Sequence, residues 1–184
     1  MAWAVIGIDG GLHGAVVAID QNMRVLGCFD MPTLPVTKRR KGGKKIHANV
    51  FDASALHEKL HAMVNVLHKH GYAVAMVLER AQAMPGQGVS SMFTTGRGYG
   101  LAEMAAVSTG KPYQLVSANV WTKEVLKGCP GEAKERSLLQ ASRLFPRLTL
   151  TKPNGKKLSL DGRADAALLA YYGLKNVVPG EDHG

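Results

Sequence analysis

Two cysteines in 184 residues, Cys28 and Cys129, leave no material for a disulfide framework or a paired-cysteine zinc site. They read as reduced thiols of a cytosol-like compartment. No apolar run approaches the roughly 18 residues that a membrane span needs, and Met1 leads straight into a strand-like segment with no basic stretch before it. We therefore expect no membrane partner and no signal or transit segment. Aromatic residues are few, 6% of the chain, and Trp3, Trp121, Tyr99 and Tyr113 form no stacking pattern, so core or interface packing is their expected place. Acids are scarce as well, 14 against 23 lysines and arginines, for a net charge of +9. That balance favours a polyanionic partner, nucleic acid ahead of anionic lipid. What is plentiful is apolar residue, 46%, which excludes a disordered basic tail and suits one domain spanning 1–184 with a real core.

Ala4-Val5-Ile6-Gly7-Ile8 is a short continuous apolar run, the pattern of a strand covered on both faces, and it stops at the turn residues Asp9-Gly10-Gly11. Segments 14–20 and 24–30 repeat the strand pattern around a Gln21-Asn22 turn, so three antiparallel strands open the chain. Over 31–51 the regularity breaks: Lys38, Arg39, Arg40, Lys41, Lys44 and Lys45 surround Gly42-Gly43, and such a like-charged block is expected to be a mobile loop. Asp52 stands as the N-cap of a helix whose apolar positions are Leu56, Leu60, Met63, Val64 and Leu67 and which Gly71 stops. Ala73 to Glu79 is a second apolar strand ended by a carboxylate. Residues 80–95 are expected as a polar loop leading into a small-residue helix from Leu101 to Ser108. A short strand from Tyr113 to Val116, partly helical structure from Ser117 to Leu126 and a helix from Glu132 to Phe145 follow. After a basic loop, Thr151 to Lys157, comes an apolar-faced helix from Ala164 to Leu174, and 176–184 reads as a flexible tail. The element order is that of an α/β protein without internal repeats.

Ligands in α/β sheets gather at the carboxyl ends of central strands. If the strands ending in Asp9 and Glu79 are parallel neighbours, those carboxylates meet. Asp161 and Asp165, four apart at the start of the last helix, share one face near its electropositive end. Each of these acids alone also serves as an ordinary turn residue, strand end or N-cap. Together, four negative charges require cations, and oxygen-only ligation without His or Cys selects Mg²⁺ or Mn²⁺. A pair of such ions roughly 3.5–4 Å apart suits phosphodiester cleavage, with the basic excess offsetting repulsion between the acids and a phosphate backbone.

The order of Asp9 in GIDGG, Glu79 in MVLERA and Asp161/Asp165 in DGRADAALLA resembles the RNase H-like superfamily, and specifically the RuvC-type Holliday junction resolvases. SMFTTGRGYGLAEMAA and DGRADAALLAYYG look closest to its chloroplast and phage branch. The resemblance spans roughly Val5 to Gly173. It implies an RNase H-like α/β fold with a five-stranded mixed sheet, three strands antiparallel and two joining in parallel, flanked by helices on both faces. It further implies a structure-selective endonuclease that resolves four-way DNA junctions by symmetric nicks, with two Mg²⁺ per active site (Mn²⁺ substituting) on Asp9, Glu79, Asp161 and Asp165. Bacterial members space the last two acids three apart rather than four, so Asp161 ligates either directly or through water. Lys123 in WTKEVLKG and Lys134 in GEAKERS match the family lysines that approach the cleaved phosphate. The aromatic wedge of bacterial members has no counterpart after Glu79, where Met84 and Pro85 stand. Symmetric cleavage implies a homodimer, expected through the helix around Leu101 to Val107. The DNA-binding set is expected to be the basic residues of 38–45 together with Arg97, Lys127 and Arg163. Competing readings are a branched-DNA or RNA–DNA hybrid nuclease and a non-catalytic junction binder. The location implied is bacterial or phage-encoded, cytoplasmic or nucleoid-associated, or an organelle for a trimmed mature form.

Two other motifs carry less. His57-Glu58-Lys59-Leu60-His61 matches the H-E-x-x-H zinc pattern, but the core face of that helix puts its histidines along a solvated flank. Gly96-Arg97-Gly98-Tyr99-Gly100 is not a dinucleotide fingerprint, and no nucleotide cofactor is expected; its glycines instead suit close approach to DNA or to a neighbouring helix. GIDGG also resembles the phosphate loop of actin-like ATPases, which need a second such domain.

Overall fold

Continuous apolar runs set both the central strand and its neighbours. The computed structural model describes residues 2–39, 42–43, 45–83, 85–150 and 161–178, and the side chains of 38, 133 and 134 fall outside that description. Strands β1 (Trp3–Ile8), β2 (Ala15–Asp20) and β3 (Val25–Asp30) pair antiparallel, while β6 (Ala73–Arg80) and β7 (Tyr113–Ser117) add in parallel on the other side of β1. The five-stranded order is β3-β2-β1-β6-β7, the mixed sheet expected from the sequence. The β2–β3 turn is held by Asp20, fully buried, which accepts the Asn22 and Arg24 amides at 2.9 and 2.8 Å and the Arg24 Nε–H at 2.6 Å.

Ala4, Ile6 and Ile8 face a layer formed by α1 (Ala53–Lys69) and α2 (Val89–Ser108); Val5 faces the layer of α3 (Ala118–Val125), α4 (Ala133–Leu144) and α5 (Asp161–Asn176). This two-sided cover explains why β1 reads as an unbroken apolar run. The Asp52 carboxylate caps α1 by accepting the Ala55 amide at 3.0 Å, and Gly71, at φ +80°, leads the chain out.

Helix α5 is buried nearly all round, from Gly162 to Gly173, and lies flush on the sheet. A Cβ at Gly7 would run into the backbone of Ala166 and Ala170, and one at Gly173 would come within 2.7 Å of Val5 and Val77 methyls. Backbone against backbone cannot yield as a side chain can. Gly7→Ala is therefore expected to cost roughly 3 kcal/mol or more, a fall of about 6–12 °C in thermal midpoint. Gly96→Ala, which meets nothing within 4 Å, is expected to leave stability unchanged or raise it by up to about 1 kcal/mol. Paired melting curves test both.

Two expectations are corrected. Segment 31–51, expected as a loop, contains two antiparallel strands, β4 (Thr33–Arg39) and β5 (Lys45–Phe51), in a separate two-stranded sheet with Arg39 opposite Lys45. Thr33, Val36, Thr37, Ile46 and Val50 supply the β-branched content, and Gly42 and Gly43, at φ +90° and +80°, the turn geometry. The ribbon's base is anchored by buried Phe51. The second correction is α2, which begins at Val89 rather than Leu101, so Gly96, Gly98 and Gly100 lie inside a helix. Gly98 makes this profitable, because a Cβ there would strike the Phe51 ring and the Gly10 carbonyl: the missing side chain lets α2 press onto the strand-end turn. The basic loop at 151–157 lies outside the described residues, as does the tail beyond 178.

Candidate active site

Strand register brings the acids to one end of the sheet. Ile8 pairs with Leu78, so Asp9 and Glu79 are the next residues along two parallel neighbours. A bridge between Gly14 and Gly162 fixes the start of α5 beside the start of β2, which carries Asp161 and Asp165 to the same end. Each acid has its own holder. The Gly11 amide donates to Asp9 Oδ1 at 2.9 Å, and the Trp121 indole N–H donates to Glu79 Oε2 at 2.8 Å; the Ser137 hydroxyl bonds Asp165.

These carboxylates form one electrostatic unit. Burial pushes Asp9 upward, partly offset by the Gly11 amide. Burial also raises Glu79, opposed by the Trp121 bond and reinforced by the charge of Asp9. Asp165 is pushed up to about 7 through burial, against the Ser137 bond and with repulsion from Asp9, Glu79 and Asp161. Desolvated like charges without a counter-charge take up protons or stand apart. Accordingly, among the described residues no three His, Cys, Asp or Glu side chains are drawn into a ready metal cluster. The donor chemistry nevertheless suits a hard divalent cation: the set is carboxylate oxygen throughout, partly desolvated, and destabilised by its own charge.

A cleft of about 440 Å³ opens beside Asp9 and Glu79, floored by Gly10 and Gly11 and walled by Gln82, Thr95, Tyr99 and Asn119. Lys123 is exposed one helical turn after Asn119, on the same face of α3. Lys127 is exposed just beyond α3, and Arg39 and Lys45 are exposed on the ribbon. The side chains of Lys38, Arg40, Lys41, Lys44 and Lys134 lie outside the described residues. Arg97 is exposed on α2 but stands two residues from both Thr95 and Tyr99, on the helix face turned away from the cleft. The Arg163 guanidinium forks onto Asp30 at 2.5 and 2.9 Å and reaches the Thr149 carbonyl at 3.1 Å, so it ties α5 to the end of β3.

Trp121, expected from the sequence in core or interface packing, is 2% exposed in the core, and its bond to Glu79 was not anticipated. The available signal was that a buried indole N–H needs an acceptor. Ser137 and the amide-bearing wall of the cleft carried no periodicity to mark them.

A sheet of three antiparallel and two parallel strands, with acids at the ends of the central pair and on the helix crossing them, defines the RNase H-like arrangement. Solved structures with a similar fold are known. Thermus thermophilus RuvC in complex with a Holliday junction substrate matches with a TM-score of 0.51 at 17% identity, over 94% of this chain and 95% of that one. A further Thermus thermophilus RuvC structure gives 0.47 at 18% identity, covering 94% and 95%. The yeast mitochondrial Holliday junction resolvase gives 0.45 at 13% identity, covering 93% and 77%. No family model and no curated protein matches the chain. The chain has the RuvC-type, RNase H-like fold. No helix among the described residues is long and apolar enough to cross a membrane.

Proposed function

We propose that this chain is a structure-selective endodeoxyribonuclease that resolves four-way DNA junctions by symmetric nicks, using Mg²⁺, with Mn²⁺ as a substitute, at Asp9, Glu79, Asp161 and Asp165. The observation that carries this reading is geometric: Asp9 and Glu79 follow paired strand ends and line an open cleft, and the Gly14–Gly162 bridge brings the start of α5, with Asp161 and Asp165, to the same end of the sheet, on a chain of net charge +9. When bound, a pair of hard divalent ions activates water and stabilises the departing 3′ oxygen. The protein's own groups orient the acids: the Gly11 amide for Asp9, the Trp121 indole for Glu79, the Ser137 hydroxyl for Asp165. Lys123, exposed one turn of α3 beyond the cleft residue Asn119, together with Lys134, neutralises charge on the scissile phosphate. Arg39 and Lys45, joined by Lys38, Arg40, Lys41 and Lys44, make the ribbon a cationic arm for backbone phosphates, and Lys127, exposed just beyond α3, is a further cation for phosphate. We leave Arg163 out of this set because its fork is occupied by Asp30.

Two symmetric nicks need two copies of the site. The outer face of α2 favours a homodimer with two-fold symmetry: Val89, Phe93, Met104 and Val107 are 80, 73, 60 and 43% exposed at helical spacing, an apolar stripe of the kind that marks an interface. Arg97 lies on that same face.

The deciding experiment supplies Mg²⁺ with a mobile four-way junction, an RNA–DNA hybrid duplex and a linear duplex. Paired symmetric nicks in the junction alone are expected. Cleavage of the hybrid, or cutting indifferent to branching, overturns the reading in favour of a related nuclease; binding without cleavage makes the chain a junction-binding protein.

A further inference from the structure

The histidine flank of α1 takes no part in the acidic centre, yet its geometry is specific. His57 and His61, four residues apart, have ring centroids 4.2 Å from each other with planes tilted by 43°. His57 Nδ1 and His61 Nε2 both converge on one atom, Ser108 Oγ, at 3.2 and 3.0 Å. Ser108 is the last residue of α2, and its hydroxyl donates to the Ala105 carbonyl at 2.8 Å. With its proton directed there, Oγ accepts from an N–H of each ring, and an ion that takes those nitrogens would shift both rings to their other tautomer. Two imidazole nitrogens from one helix thus lie within 3.2 Å of one hydroxyl oxygen from another.

We propose that His57, His61 and Ser108 form a second metal site, distinct from the acidic centre, for a borderline divalent transition ion of the Zn²⁺ or Cu²⁺ class. Two imidazoles select such ions over Mg²⁺, which prefers an all-oxygen shell. Histidines at i and i+4 on a helix chelate through one face, and the carbonyl end of α2 contributes negative partial charge. His57 is exposed, which gives the ion a route in and leaves remaining positions to water. The site is structural: the intervening Glu58 is bonded by the Ser54 hydroxyl at 3.2 Å, so the general base that a zinc peptidase needs is directed elsewhere. A bound ion clips α1 to the C-terminal end of α2.

The test titrates Zn²⁺ into the full chain by calorimetry in excess Mg²⁺, which competes for the carboxylates, and records Cu²⁺ electron paramagnetic resonance. One Zn²⁺ per chain is expected, with a Cu²⁺ spectrum showing two coupled nitrogens. His57→Ala and His61→Gln are each expected to weaken Zn²⁺ at least tenfold and to remove one nitrogen, while Asp9→Asn leaves both readings unchanged. Melting curves without metal show that the variants fold, and Zn²⁺ is expected to raise the midpoint of wild type but not of His61→Gln. Failure of wild type to bind Zn²⁺, equal binding by the histidine variants, or a spectrum without coupled nitrogens overturns the assignment. Loss of Zn²⁺ binding in Asp9→Asn also overturns it, by assigning the ion to the acidic centre.

Discussion

Asp9→Asn is expected to lower junction cleavage by at least about 10³-fold, on the order of 4 kcal/mol of transition-state stabilisation, while junction binding stays equal or tightens slightly. Asparagine keeps the shape of the side chain and an oxygen for the Gly11 amide, which Asp9 Oδ1 now accepts at 2.9 Å. It removes a charge that burial already disfavours, so the metal-free variant should melt no lower than wild type. It also removes one negative charge from the surface that meets phosphate, and repulsion toward DNA falls. Rate, binding and melting together separate chemistry from folding. Cleavage within tenfold of wild type would remove Asp9 from the site, and a large drop in melting temperature would make it a folding residue instead.

Metal-free protein is expected to lose stability as pH rises from about 4 to about 7, and Mg²⁺ is expected to restore much of that loss at pH 8. The sign follows from Asp165, whose carboxyl is pushed up to about 7 from 3.8. Between those values the folded chain holds a proton that the unfolded chain has released, so stability declines with pH through the window and levels off above it. The limiting size is on the order of 4 kcal/mol, with Asp9 and Glu79 raised in the same direction. A cation bound to the folded state offsets this by mass action. Melting curves at pH 5 and 8, with and without Mg²⁺, supply the test. Asp165→Asn should flatten the metal-free slope and make the chain more stable than wild type at pH 8. Stability that rises between pH 5 and 8 without metal would contradict the coupled cluster.

The parts of this molecule that were legible in sequence are those where one local signal had no rival. β1 and the body of β6 announced themselves as unbroken apolar runs ended by carboxylates, and α1 by its Asp52 cap and Gly71 exit. The placement of Asp9 and Glu79 at neighbouring strand ends and of Asp161 and Asp165 on one helix was legible because strand ends and an i, i+4 pair follow from periodicity. The ribbon was not, since a block of like charge argued for a loop while the alternating β-branched residues on either side argued for strands. The first turns of α2 were hidden for a different reason. Three glycines within five residues oppose helix on intrinsic grounds, and the packing of Gly98 against Gly10 and Phe51 that outweighs them joins segments far apart in the chain. Arg163 shows the limit for charged groups. It was expected among the DNA-binding residues, while the carboxylate its guanidinium forks onto, Asp30, lies 133 residues away in the chain.

Gly98 also constrains how this molecule can diverge. It abuts the Phe51 ring at the root of the ribbon on one side and the Gly10 carbonyl beside Asp9 on the other. The arm and the acidic turn thus share one abutment, so a side chain at 98 would displace both, and re-angling the arm would disturb the floor under Asp9. Ribbons of other length or charge can be exchanged at the tip around Gly42 and Gly43 without touching that joint. In this architecture the far end of the ribbon is free to vary, while its root is locked to the turn that carries Asp9.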